Sequence, residues 1–310
     1  MAQGARARPC DRSAGGREGA GFGVNKRSFQ SDGAGSAELN TKPSVAEAAR
    51  SVLAAADPLA KVAAARQAAR DWRLGRLDFA FDVAMPEEPA RPATPELLPP
   101  NRMPKRGKGG SERGRVALIH ALAHIEFVAI DLAFDLIGRF GAQFPRAFTD
   151  DWMKVGADEA MHFALLDRRL KQLGSHYGAM PAHAGLWEAA VATAGDAAAR
   201  LAVVPMVLEA RGLDVTPATI ERFEAVGDHA TAAILGRIFR DEIVHVRAGT
   251  RWFESLCAAR RIDSRVEWRA LLDRYFRGTV KPPFNDSARE TAGLTRDYYE
   301  SLAVSGPISL

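Results

Sequence analysis

One pattern occurs twice in this chain, and it limits the possible folds more than any other feature. A Glu is followed 33 residues later by the Glu of an Asp-Glu-x-x-His run. The first copy is Glu126, Asp158, Glu159 and His162; the second is Glu209, Asp241, Glu242 and His245. Glu and His three apart share one face of a helix, so one helix can present both to the same point. Four carboxylates and two imidazoles in this order are the donor set of a four-helix bundle that holds two metal ions. In such a bundle two helices give one Glu each and the other two give Glu-x-x-His each. The expected ligands are therefore Glu126, Glu159, His162, Glu209, Glu242 and His245. The expected cofactor is two Fe, with Mn or a mixed Fe/Mn pair as the alternative.

The surroundings of the two isolated Glu residues agree. On the face of Glu126 lie Ile119, Leu122, Ala123, Ala129, Ile130 and Ala133, and Glu209 follows Leu201-Ala-Val-Val-Pro-Met-Val-Leu208. A lone carboxylate on such an apolar stripe is costly unless it is neutralised or coordinated. If the two Glu residues of each copy meet across antiparallel helices, the turns fall near the midpoints, at ~142 and ~226. Gly141 and Pro145 stand at the first, and Gly227-Asp228, a stop followed by an N-cap, at the second. Arg211-Gly-Leu-Asp-Val-Thr-Pro217 predicts a break in the third helix just after its ligand, with the helix resuming at 217. A single Glu-x-x-His describes many solvated helix surfaces. Two copies at one spacing, each behind a Glu in an apolar run, do not fit that reading.

Alanine is abundant and alternating β-branched residues are scarce, which predicts an all-α chain. No apolar run reaches ~18 residues without a charge or His, so no membrane span is expected. Cys10 and Cys257 form no disulfide framework and no CxxC, which fits a reducing cytoplasm. The net charge of +4 is local, because residues 101–115 carry +5 and the rest −1. A basic, Gly-rich loop can touch phosphate. No aromatic residue interleaves with it, as single-strand binding prefers, so tRNA is the weaker partner expectation.

Four regions follow. Residues 1–40, rich in Gly, Ala, Ser and Arg, read as a disordered arm, a targeting segment or a mis-assigned start. Residues 41–112 read as two short helices, 44–57 and 58–76, and a Pro-rich extended wrap over 84–109. The bundle is expected over 113–260, with helices at 114–139, 146–173, 186–211 (resuming to 226) and 228–259. The connection of about 12 residues after 173 would be its long crossover. Residues 261–310 form a C-terminal helical tail, with helices at 264–277 and near 295–303 beside Lys281-Pro-Pro-Phe-Asn285.

Asp158 and Asp241 precede a ligand Glu and lie four residues before a ligand His, pointing about 40° from it. Metal-bound His usually donates its other N–H to a carboxylate. Both Asp residues are therefore expected to hold the His of the opposite helix. His120, His124, Asp131 and Asp135 form a second polar stripe, with His124 roughly 200° around the helix from Glu126. That stripe is expected to meet the N-terminal wrap or a second copy in a homodimer. Trp152 is expected in the core, and His176, His183 and His229 at loops and helix ends.

At His-Ile-Glu-Phe (124–127), Asp-Glu-Ala-Met-His-Phe (158–163), Leu-Glu-Ala-Arg-Gly-Leu-Asp-Val (208–215), Asp-Glu-Ile-Val-His-Val (241–246) and Lys-Pro-Pro-Phe-Asn (281–285), the chain resembles the ferritin-like superfamily. Within it, the chain looks most like the bacterial family known as domain of unknown function 455, over about residues 45–303. The resemblance implies a ferritin-like bundle and a non-haem di-metal oxidoreductase that binds or activates O2 or peroxide. It also implies Glu159 and Glu242 as bridging ligands. Other expectations are a tRNA-modifying hydroxylase, an iron-storage or peroxide-detoxifying protein, and a structural bundle with a vestigial site. The substrate is expected to be a small molecule, and with no CxxC pair in the chain the electron donor is expected to be external.

Overall fold

Helix-starting side chains set the order of elements. In the computed structural model, which describes residues 42–99, 102–103 and 111–303, Ser44 and Glu47 form a reciprocal capping box that opens α1 (Val45–Ala54). Asp57 caps α2 (Pro58–Arg73), with Pro58 at its first position, where a missing N–H does no harm. Ser111 caps α3 (Glu112–Phe140), and a short 3-10 turn over Gly141–Gln143 leads into α4 (Arg146–Gln172). Asp196 caps α6 (Ala197–Val203), which follows α5 (Gly185–Ala192). A π-helical turn, Val204–Glu209, joins α6 to α7 (Ala210–Ala225) without a break. Asp228, after Gly227 with φ 75°, caps α8 (His229–Arg260). The tail is α9 (Ser264–Tyr275), α10 (Asp286–Thr291) and α11 (Arg296–Ala303). Among the described residues the chain is all-α apart from two-residue strands, β1 (Leu97–Leu98) and β2 (Ala182–His183), paired in parallel.

Two antiparallel pairs carry the core. α3 packs on α4, and α7 packs on α8. α3 and α4 approach closely at Gly156, where a Cβ would enter the Phe134 ring. α3 is buried on nearly all sides, with Ile119, Ile130, Phe134 and Ile137 fully enclosed. By length and composition α3 could span a bilayer, yet 72% of its most apolar stretch is covered by the rest of the chain. Its apolarity follows from encirclement by α1, α2, α4, α5 and α6.

The connection from α4 to α6 is longer than the sequence suggests, because α5 and β2 belong to it. Helix three therefore starts at 197 rather than 186. The predicted break after 211 does not occur either. Pro217 lies inside α7, and the carbonyl of Leu213 that it leaves without an N–H partner accepts from Asn285 Nδ2 at 3.2 Å. Arg211 donates to the carbonyls of Lys281 and Pro283, both at 3.0 Å, and Asp214 pairs with Arg289 and accepts from Asn285 N. The Leu-Glu-Ala-Arg-Gly-Leu-Asp-Val and Lys-Pro-Pro-Phe-Asn segments are thus two halves of one contact.

The stretch from Val83 to Pro99 runs without a helix. It bonds to the ends of α3 and α1 through Arg139 to Pro86 O and Ala90 N to Leu53 O, then pairs β1 with β2. The arm expected over 1–40 and the basic residues at 104–110 lie outside the described residues.

Candidate metal centre

The six repeated residues converge from four helical segments. α3 brings Glu126, α4 brings Glu159 and His162, the last residue of the π-turn is Glu209, and α8 brings Glu242 and His245. A π-turn at this point follows from Pro205, whose ring disrupts the regular ladder one turn before Glu209. On α8, Gly249 leaves room for the Pro205 ring, which a Cβ would strike.

Glu126, Glu159, His162 and Glu242 offer donor atoms that all lie within 4.8 Å of one another. His162 Nδ1 stands 3.2 Å from Glu126, 3.4 Å from Glu159 and 3.8 Å from Glu242. His245 Nδ1 stands 2.9 Å from Glu159 and 3.5 Å from Glu242. Glu159 and Glu242 thus touch both imidazoles, while Glu126 meets His162. The imidazole centroids are 5.7 Å apart.

Each ring is held from behind by the opposite helix. His162 Nε2 is 3.1 Å from Asp241, and His245 Nε2 is 3.4 Å from Asp158. Both Nδ1 atoms therefore face inward. Sequence reading missed the next partners outward. Asp158 pairs with Lys154 and Asp241 with Arg237, each four residues earlier on the same helix. The signal was available, since a basic residue stands five before the Glu in both copies.

The cluster is short of partners for its own polar atoms. Both carboxylate oxygens of Glu159, Oε2 of Glu209 and Nδ1 of His245 are buried without a hydrogen bond, although His245 Nδ1 and Glu159 Oε1 are neighbours. Buried donors and acceptors are seldom left so. Burial and neighbouring carboxylates push Glu126, Glu209 and Glu242 above the usual carboxylate range. Burial opposes charge on His162, but hydrogen bonds to Asp241 and Glu126 and the neighbouring Glu159 carboxylate raise it to about 12. His245 is likewise raised against burial by Glu242 and Glu159. Glu159 falls below its ordinary range, against burial, because both imidazoles face it. The site gathers negative charge that only bound protons or cations can balance. Its oxygen and imidazole donors suit a first-row divalent metal.

The second polar stripe turns away from the cluster, as its helical position requires, and meets partners within the chain. Asp131 pairs with the fully buried Lys61 of α2, and Asp135 with Arg200 of α6 at 2.5 Å and Arg139 at 2.8 Å. His124 meets Tyr177 at 2.8 Å and the His183 carbonyl at 3.2 Å, and His120 accepts from Gly178 N at 2.9 Å. Lys61 and, nearby, Arg91 come from the N-terminal region, and the crossover and α6 supply Tyr177, Gly178, His183 and Arg200. Trp152 is core, 2% exposed. His176 and His229 are exposed, and His183 accepts from Gly185 N beside α5.

Fold and site define an all-α protein with a buried acid–histidine cluster able to hold metal. Residues 54–300 match the family described as "Protein of unknown function (DUF455)", and the chain belongs to that family. An uncharacterized protein of Haemophilus influenzae is 43% identical over 225 residues, covering 71% of this chain and 78% of that one. No solved structure matches the chain.

Proposed function

We propose that the chain is a ferritin-like di-metal carboxylate protein, an oxidoreductase that holds two Fe, or Mn or a mixed pair, and works on O2 or peroxide. One observation supports this most. Donor atoms of Glu126, Glu159, His162 and Glu242 lie within 4.8 Å of one another, His245 touches Glu159 and Glu242, both imidazoles turn Nδ1 inward, and buried carboxylate oxygens of Glu159 and Glu209 lack hydrogen bonds. Glu126 and His162 would serve one ion and Glu209 and His245 the other, with Glu159 and Glu242 between them. A bound iron pair would supply the redox steps and open coordination positions that O2 or peroxide chemistry requires.

The chain's own contribution is positional. Asp241 and Asp158 stand at Nε2 of His162 and His245, which turns each Nδ1 inward and, with a metal bound, would leave the Nε2–H on the carboxylate and the Nδ1 lone pair for the ion. Near-complete burial of Glu159, His162 and His245 keeps bulk water from the donor atoms. With no CxxC for a second iron centre, electrons would come from an external donor to serve a small-molecule substrate. The test is O2 or peroxide consumption by protein loaded anaerobically with Fe(II). Uptake that is absent from Glu126→Ala/Glu209→Ala supports the reading; equal uptake by that variant contradicts it.

A further inference from the structure

A groove of about 960 Å³ runs along the outer face of α4 between α2 and the Arg237 turn of α8. That is within the size range of small-molecule sites, roughly 300–1,000 Å³. Its floor is apolar, including Met153, Ala157 and Met161, and its rims carry Arg66, Arg70, Arg73, Lys154 and Arg237. The carboxylates that line it are already engaged. Asp150 accepts from Trp72 Nε1 at 2.8 Å, and Asp158 pairs with Lys154 and His245. Arg66, Arg70 and Arg73 are exposed, and among the described residues none has an ion pair. They stand at i, i+4 and i+7 on one face of α2, a stripe about 10 Å long. Like charges so spaced weaken a helix. Elsewhere among the described residues some arginines, such as Arg139, Arg200 and Arg289, meet a carboxylate and others, such as Arg222 and Arg240, do not; what sets these three apart is that they share one wall of the groove. The fold therefore leaves this cationic stripe unbalanced.

We infer that the groove binds a small phosphate-bearing molecule, its phosphate oxygens held by the guanidinium forks of Arg66, Arg70 and Arg73 and its body laid on the Met–Ala floor. Guanidinium groups match phosphate oxygens in pairs, and convergent cations suit a multiply charged anion better than a single carboxylate. The groove offers no open aromatic face on which bases of a nucleic acid could stack. Trp72 is 4% exposed and is covered by Arg146 at 3.6 Å. The groove shares Lys154, Asp158 and Arg237 with the outer partners of the imidazoles, but the three arginines lie on α2 and the inference does not depend on the metal reading.

The test is calorimetric titration of inorganic pyrophosphate and of ADP into the full-length protein, with no metal added. Wild type should bind, Arg66→Glu/Arg70→Glu/Arg73→Glu should bind at least about tenfold more weakly, and Arg222→Glu on α7 should match wild type. Glu126→Ala/Glu209→Ala should also bind as wild type, so loss of the metal reading would leave this result standing. Circular dichroism of the triple variant should match wild type; if it does not, Arg66→Gln/Arg70→Gln/Arg73→Gln takes its place. Equal binding by wild type and the charge variant, no binding of either probe, or an equal loss in Arg222→Glu would overturn the inference. So would tight binding of a single-stranded RNA by a protein that ignores both small probes.

Discussion

Asp158 and Asp241, both half-buried, differ from the other acids of their helices in what lies behind them. Each holds the outer nitrogen of an inward-facing imidazole, and each is tied in turn to Lys154 or Arg237. Removing such a partner typically weakens metal binding about 10–100-fold. Asp241→Asn and Asp158→Asn should therefore each lose about tenfold or more in metal affinity by chelator competition, with little change in melting temperature. A second prediction concerns the buried pair of Lys61 and Asp131. Lys61→Met alone strands a carboxylate that is 1% exposed and should cost about 3–5 kcal/mol in denaturant unfolding. Lys61→Met/Asp131→Leu should cost far less. Burial, outweighing Lys61, raises Asp131 from 3.8 to about 7. Its favourable contribution is full below its unfolded pKa and is lost as pH rises through the folded one. Wild-type stability relative to the double variant should thus fall between about pH 4 and 7. At this scale the grouping of the six residues was legible because their spacing repeats. Lys154 and Arg237 also repeat, but a charged residue on a helix surface carries no mark of what it touches. Lys61 gave no signal, since a single Lys in an Ala-rich helix reads as solvated.

Helix three shows where the sequence misleads at the scale of elements. A Gly and a Pro within seven residues predict a break, yet α7 runs through both because Asn285, 68 positions beyond Pro217, covers the freed carbonyl of Leu213. No local reading could supply that partner. Asn285 also caps α10, accepting from Ala288 N at 3.2 Å. Asn285→Ala should therefore lower stability by about 1–3 kcal/mol in denaturant unfolding. The π-turn was equally hidden, although Pro205 so close to Glu209 was its cause. Gly249→Ala would push Pro205 and the turn that ends on Glu209. It should cost about 1–3 kcal/mol by overpacking and weaken metal binding as well. A merely structural Gly would lose stability alone. The starts of α2, α3 and α8 were readable to within a few residues because their caps are local: Asp57, Ser111 and Asp228 act on their own first turns.

Across the whole molecule, the repeat ties two antiparallel pairs, α3 with α4 and α7 with α8, to one buried centre. The crossover, the tail and the extended stretch from Val83 to Pro99 brace that arrangement from outside. Their contacts join distant parts of the chain, which is why the sequence showed their existence but not their seats. Whether the six repeated side chains hold two ions is answered by elemental mass spectrometry after anaerobic Fe(II) loading and desalting. About two iron atoms per chain are expected, lost in Glu126→Ala/Glu209→Ala. A fully folded wild type that retains neither iron nor manganese after loading would contradict the metal reading.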